Sequence, residues 1–153
     1  MKNKMKNKKN HALNLSVQFA TAAPDSINRS RLRRWVQAAL QQPAQITLRF
    51  VAAAEGKKLN AEFRGKEYAT NVLTFPYHNP SEKTAVADIV ICVPVVAHEG
   101  KEQKKELLHH YAHMIVNGVL HAQGFDHERH TEAEKMEALE IAILQRLKIT
   151  NPY

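Results

Sequence analysis

Residues 113–130 read HMIVNGVLHAQGFDHERH, and six of the nine histidines in this 153-residue chain fall between His109 and His130. Imidazole is the commonest metal ligand among side chains, so this density in a chain with one cysteine points first to a metal site. Leu108, Tyr111, Ala112, Ile115, Val119 and Ala122 recur at helical intervals, which predicts a helix with one strongly apolar stripe. His113, Asn117 and His121 are four apart and share the face away from that stripe. Gly124 stops the helix, and Phe125 and Asp126 carry the chain through a turn that delivers His127. Two side chains from one helix face and one from the turn can hold three corners of a tetrahedron. The fourth corner then stays open to water, as in catalytic rather than structural zinc sites.

The chain is long enough for one domain with a proper core and too short for two ordinary ones. The net charge of +7 is largely a tail effect, because Lys2, Lys4, Lys6, Lys8 and Lys9 are five of the 22 basic residues and no acid lies among them. The remaining 17 bases face 15 acids. Residues 1–12 therefore read as a basic tail, either a disordered solubilising arm or a contact for RNA phosphates, and residues 13–153 as the folded domain. The single cysteine, Cys92, lies in an apolar run and reads as a buried small hydrophobe. No disulfide framework is possible, which suits a reducing, cytoplasmic setting. No apolar run reaches membrane-spanning length, so no membrane partner is expected.

Alternation of apolar and polar residues predicts strands over 13–19, 46–52 and 86–92, with a short buried strand over 71–75. Leu32, Trp35, Val36, Ala39 and Leu40 predict an amphipathic helix that ends before Pro43. Its other face carries Arg29, Arg31, Arg33 and Arg34, either a solvated face or a surface for RNA. Further helices are expected over 95–100 and from 103 onward, leading into the histidine helix. A last helix is expected to open with Thr131 as N-cap and Glu134 completing a capping box, and Met136, Leu139, Ile143, Leu144 and Leu147 give it a packed face. Interleaved in this order, the elements predict a single-domain α+β fold with a four-stranded mixed sheet.

The second informative stretch, residues 57–77, reads KKLNAEFRGKEYATNVLTFPY. It predicts a short helix ending near Arg64 and Gly65, a polar loop, and the strand that Pro76 stops. Arg64 on a glycine-flanked loop is placed either to meet an anion or to satisfy the carbonyls of its own helix end.

Both stretches carry a family resemblance. Residues 117–127, NGVLHAQGFDH, resemble the H-G-x-L-H-x-x-G-[YF]-D-H signature of the bacterial YbeY family of endoribonucleases that mature ribosomal RNA. Leu59, Asn60, Phe63, Arg64, Lys66, Glu67, Thr70, Asn71, Val72, Leu73, Thr74 and Phe75 are similar to that family's second signature, LN-x-x-[FY]-R-x-K-[DE]-x-x-T-[ND]-V-L-[ST]-F. Residues 87–92 are similar to its G-D-I-x-I-x segment, with Ala87 in place of glycine. Asp88 reads as a hydrogen-bonding residue rather than a catalyst.

The resemblance implies an α+β fold with the metal site in a cleft beside the sheet. It also implies one Zn2+ per chain, held at His121, His127 and the position of Asn117, with Arg64 acting in RNA cleavage. The implied partners are ribosomal RNA and the small ribosomal subunit, with ribosomal proteins or other nucleases beside them. The implied reaction is metal-dependent cleavage of single-stranded RNA in maturation of the 3′ end of 16S rRNA. One departure matters: the signature's first histidine is Asn117 here, whose neutral amide oxygen is a poorer partner for zinc than imidazole. The alternative reading is therefore a non-catalytic ribosome-associated assembly factor whose metal site is weakened by Asn117. His130, just beyond the turn, is a candidate substitute ligand. A zincin-type peptidase lacks its general base, because only Gly118, Val119 and Leu120 separate Asn117 from His121.

Overall fold

The computed structural model describes residues 10–79, 81–126 and 128–153. The lysine run and His127 therefore lie outside the described residues. Among the described residues four strands and five helices follow in the order β1 (Leu13–Phe19), α1 (Arg29–Ala39), β2 (Ala44–Val51), α2 (Ala53–Arg64), β3 (Val72–Pro76), β4 (Ala85–Cys92), α3 (Val93–Glu102), α4 (Leu107–Ala122) and α5 (His130–Arg146). The sheet order is β1-β2-β4-β3. β1 and β4 both pair with β2 in parallel, and β3 closes the other edge antiparallel to β4. This is the single-domain α+β fold with a mixed sheet that the pattern of elements predicts.

The two central strands explain the architecture. In β4 all but two residues are buried, as expected of a strand covered on both faces. Ile46, Leu48, Phe50, Ile89 and Ile91 join the main core with Leu32, Trp35 and Val36 of α1, Tyr111, Ile115 and Val119 of α4, and Met136, Ile143 and Leu144 of α5. On the opposite face, Val51, Leu73, Val90 and Cys92 form a smaller cluster with Leu59 of α2. Cys92 is thus the buried hydrophobe expected.

Local chemistry sets the element ends. Asn28 caps α1 by accepting from Arg31 N at 2.9 Å. The arginine face of α1 is partly used by the fold: Arg29, Arg31 and Arg33 donate to the carbonyls of Val17, Ser26 and Leu13. α3 runs longer than expected, and α4 starts later than residue 103. Lys104 sits at φ 54 and Glu106 is the N-cap, so the chain breaks between the two helices. The capping box does not form. Arg129 is the N-cap of α5 and no side chain caps the helix, while His130 pairs with Glu134 at 2.8 Å one turn on. No described helix is long and apolar enough to cross a membrane.

Candidate functional site

α4 approaches the sheet unusually closely, and Gly118 is the reason. A Cβ at this position would lie 2.9 Å from Ile89 Cγ2 and 3.3 Å from Val72 Cγ2. The Gly118 carbonyl accepts from Thr74 Oγ1 at 3.3 Å, joining the helix to β3. This contact sets the C-terminal half of α4 beside the strand. A cleft of about 690 Å3 opens between them, lined by Arg64, Asn71, Thr74, Asn117, His121 and Asp126 among others.

Arg64 enters from the end of α2. Gly65 takes a left-handed conformation, φ 67, and its N–H donates to the Ala61 carbonyl. The next N–H, of Lys66, donates to the Asn60 carbonyl. The helix end thus satisfies its own carbonyls with backbone donors, which removes the capping role for the Arg64 side chain. Among the described residues no hydrogen bond or ion pair engages its guanidinium, and the residue is exposed at the cleft. The loop beyond is pinned by the buried Asn60, whose Nδ2 donates to the Tyr68 carbonyl at 2.7 Å. Phe63 remains 63% exposed and packs on Phe75, ring centroids 4.8 Å apart.

Asn71 is held from behind. Its Nδ2 lies 3.1 and 3.2 Å from the two oxygens of Glu99, which also meets His110 Nε2 at 3.0 Å. Its Oδ1 accepts from Val72 N at 2.7 Å. Neither Glu99 nor His110 stands out in the sequence as part of the site.

The histidine face of α4 differs from a solvated stripe. His113 is 7% exposed, because α5 and Tyr153 cover this side of the helix. A cluster forms around Glu140, which is fully buried. Asn117 Nδ2 donates to Glu140 Oε2 at 2.8 Å, Tyr153 Oη donates to Oε1, and His113 Nε2 lies 3.7 Å from Oε2. Burial alone would push the Glu140 carboxyl up, but the hydrogen bonds from Tyr153 and Asn117, with the nearby His113 ring, together outweigh it and hold its pKa below the ordinary value. For Tyr153 burial comes first, with the Glu140 carboxylate reinforcing it, and the phenol is pushed well above its usual range.

The fit to a metal rests on donor chemistry. His121 Nδ1 lies 2.9 Å from the Phe125 carbonyl, so Nδ1 is the donor there, and a metal-ligating imidazole held this way would use Nε2. Asn117 contributes an amide to the same cleft. The described donors therefore suit two corners of a metal site, and the third candidate, His127, lies outside the described residues. Among the described residues no group of three or more His, Cys, Asp or Glu is arranged to hold a metal ion. The structure does not bring His130, the candidate substitute ligand, into the cleft lining; its side chain is 87% exposed and pairs with Glu134. Asp88 does what a hydrogen-bonding residue does, accepting from Tyr77 Oη at 2.9 Å. Sequence reasoning missed Glu140, although a carboxylate four residues after Met136 and three before Ile143 on an apolar stripe was a readable signal.

With this geometry in hand, the comparisons with known proteins converge. The family model described as "Endoribonuclease YbeY" matches residues 4–148. A protein of Janthinobacterium sp. (strain Marseille) named endoribonuclease YbeY is 57% identical over 143 residues, covering 92% of this chain and 94% of its own. One of the same name from Herminiimonas arsenicoxydans is 54% identical, covering 92% and 95%. The solution structure of TM1509 from Thermotoga maritima shares the fold, with a TM-score of 0.56 and 21% identity over 86% of this chain and 91% of that one. The chain belongs to the YbeY endoribonuclease family.

Proposed function

We propose that this protein is a metal-dependent endoribonuclease that cuts single-stranded RNA, acting in maturation of the 3′ end of small-subunit ribosomal RNA. The observation that carries the reading is Arg64. Its helix end needs no side-chain cap, and its guanidinium stands in the same cleft as Asn117 and His121. A planar, permanently charged fork is suited to bind a scissile phosphodiester and to stabilise the charge that develops on its oxygens.

One Zn2+ per chain would be held by His121, His127 and Asn117. Such an ion supplies hydroxide near neutral pH by lowering the pKa of bound water. The protein's own part is positioning. The Phe125 carbonyl keeps the His121 ring in one tautomer, and Glu99 keeps Asn71 in place at the cleft wall. The exposed Phe63 ring, packed at a tilt against Phe75 at the cleft edge, offers a face to an unpaired base. That favours single strands over duplexes.

The non-catalytic assembly role rests on Asn117 alone. The relatives keep the name of an endoribonuclease at 48–57% identity, and Arg64 and His121 stand in one cleft, so cleavage is favoured. The test is cleavage of an end-labelled single-stranded RNA and its duplex by the full chain with Zn2+, beside Arg64→Ala. Internal cuts confined to the single strand, slowed by roughly a hundredfold or more in the variant, are expected. Equal rates for the two proteins, or no cleavage by either, would overturn the reading.

A further inference from the structure

Glu140 lies on α5, outside the cleft, yet three side chains from two other parts of the chain converge on it. Asn117 Nδ2 is 2.8 Å from one oxygen, Tyr153 donates to the other, and His113 Nε2 approaches at 3.7 Å. Both oxygens of Glu140 are acceptors in these contacts, and the Asn117 atom that donates is Nδ2. The NH2 end of the Asn117 amide must therefore face Glu140, which leaves its carbonyl oxygen on the other side. Asn117 lines the cleft beside His121.

We infer that Glu140 is a positioning residue, which anchors the Asn117 amide so that its carbonyl oxygen is the atom offered to the cleft. The same acceptor would also serve a histidine at this position. Nδ1 of an imidazole sits one bond beyond Cγ, as the amide nitrogen of asparagine does. An Nδ1–H would then donate to Glu140 and leave Nε2 to the cleft, the carboxylate–histidine arrangement that orients metal ligands. Position 117 thus presents a neutral oxygen where imidazole would present a nitrogen, with the pocket behind it unchanged. Such an oxygen suits harder cations and lowers the affinity for zinc. The consequence for zinc rests on the function proposed above; the orientation of the amide does not.

Two measurements on the full chain test this. In 1H–15N spectra the Asn117 side-chain amide, assigned by its loss in Asn117→His, should exchange slowly with solvent. The slow exchange should persist in Glu140→Gln, whose carbonyl can still accept, and disappear in Glu140→Leu. By chelator competition, Asn117→His should bind Zn2+ at least about tenfold more tightly than the parent. Adding Glu140→Leu to it should reverse the gain by roughly ten- to a hundredfold, and the uncharged, isosteric Glu140→Gln should weaken it several-fold. The glutamine variant keeps the test decisive if the leucine variant fails to fold, as backbone resonances will report. An amide that exchanges equally fast with or without Glu140, or a zinc affinity of Asn117→His indifferent to residue 140, overturns the inference. A slow amide in a chain whose Asn117→His variant also takes up no zinc upholds the role of Glu140 and overturns the zinc reading instead.

Discussion

The half-buried Asn117 meets the fully buried Glu140 through one hydrogen bond of 2.8 Å, so the neutrality of one is a condition for the charge of the other. Asn117→Asp changes almost nothing in shape and sets two carboxylates side by side. They cannot both ionise there, and the shared proton is held more tightly in the folded than in the unfolded chain. The penalty is absent below the unfolded carboxyl range and accumulates as pH rises through it. The variant should therefore lose about 3 kcal/mol at pH 7 and recover stability on acidification, as read by urea unfolding at pH 7 and pH 5. A variant as stable as the parent at pH 7 would mean the amide and carboxylate are not in contact. At this scale the sequence was half legible. Spacing brings Asn117 and His121 onto one face, and the resemblance supplies Arg64. The spacing of Glu140 on the apolar stripe of α5 marks it as buried but not as the partner of Asn117, and Glu99 carries no such mark, because each is joined to its site by tertiary contacts from a different helix.

At the scale of elements, periodicity located every strand and helix to within a few residues, because burial follows the same periods that sequence displays. Ends were less legible. The break at Lys104 and Glu106 depends on one left-handed residue that is not glycine, and the expected cap at Thr131 loses to a helix that starts two residues earlier, with Arg129 as N-cap. The close approach of α4 to β3 is also hidden, since Gly118 reads only as a weak helix former. Its role yields a prediction. Gly118→Ala gains about 1 kcal/mol of helix propensity, but the new methyl must displace Ile89 Cγ2, which it would meet at 2.9 Å. Ile89 is β-branched and fully buried in the sheet, so it has little room to yield. Overpacking of about 2–3 kcal/mol then wins, and the midpoint of urea unfolding should fall with its slope unchanged. A rise in the midpoint would show that the helix backs away from the sheet at no cost.

At the scale of the whole molecule, Glu140 is where α4, α5 and Tyr153 are tied together, and a single ionisation governs the knot. Its pKa lies below the ordinary carboxyl value because the hydrogen bonds from Tyr153 and Asn117, with His113 close by, outweigh burial. A group whose folded pKa is depressed adds stability that is fully present above its unfolded value and is lost as pH falls through the folded one. Glu140→Gln keeps the shape and an acceptor but removes that proton linkage. At neutral pH it should lower stability by about 1–2 kcal/mol, the difference between charge-assisted and neutral hydrogen bonds. Below about pH 4 the gap should close, since protonation converts the parent into a near equivalent of the variant. Unfolding free energies of the two proteins measured by denaturant from pH 7 to pH 3 should therefore converge toward acid. Parallel curves would place the acid-sensitive linkage elsewhere in the fold and leave Glu140 a neutral, structural member of the cluster.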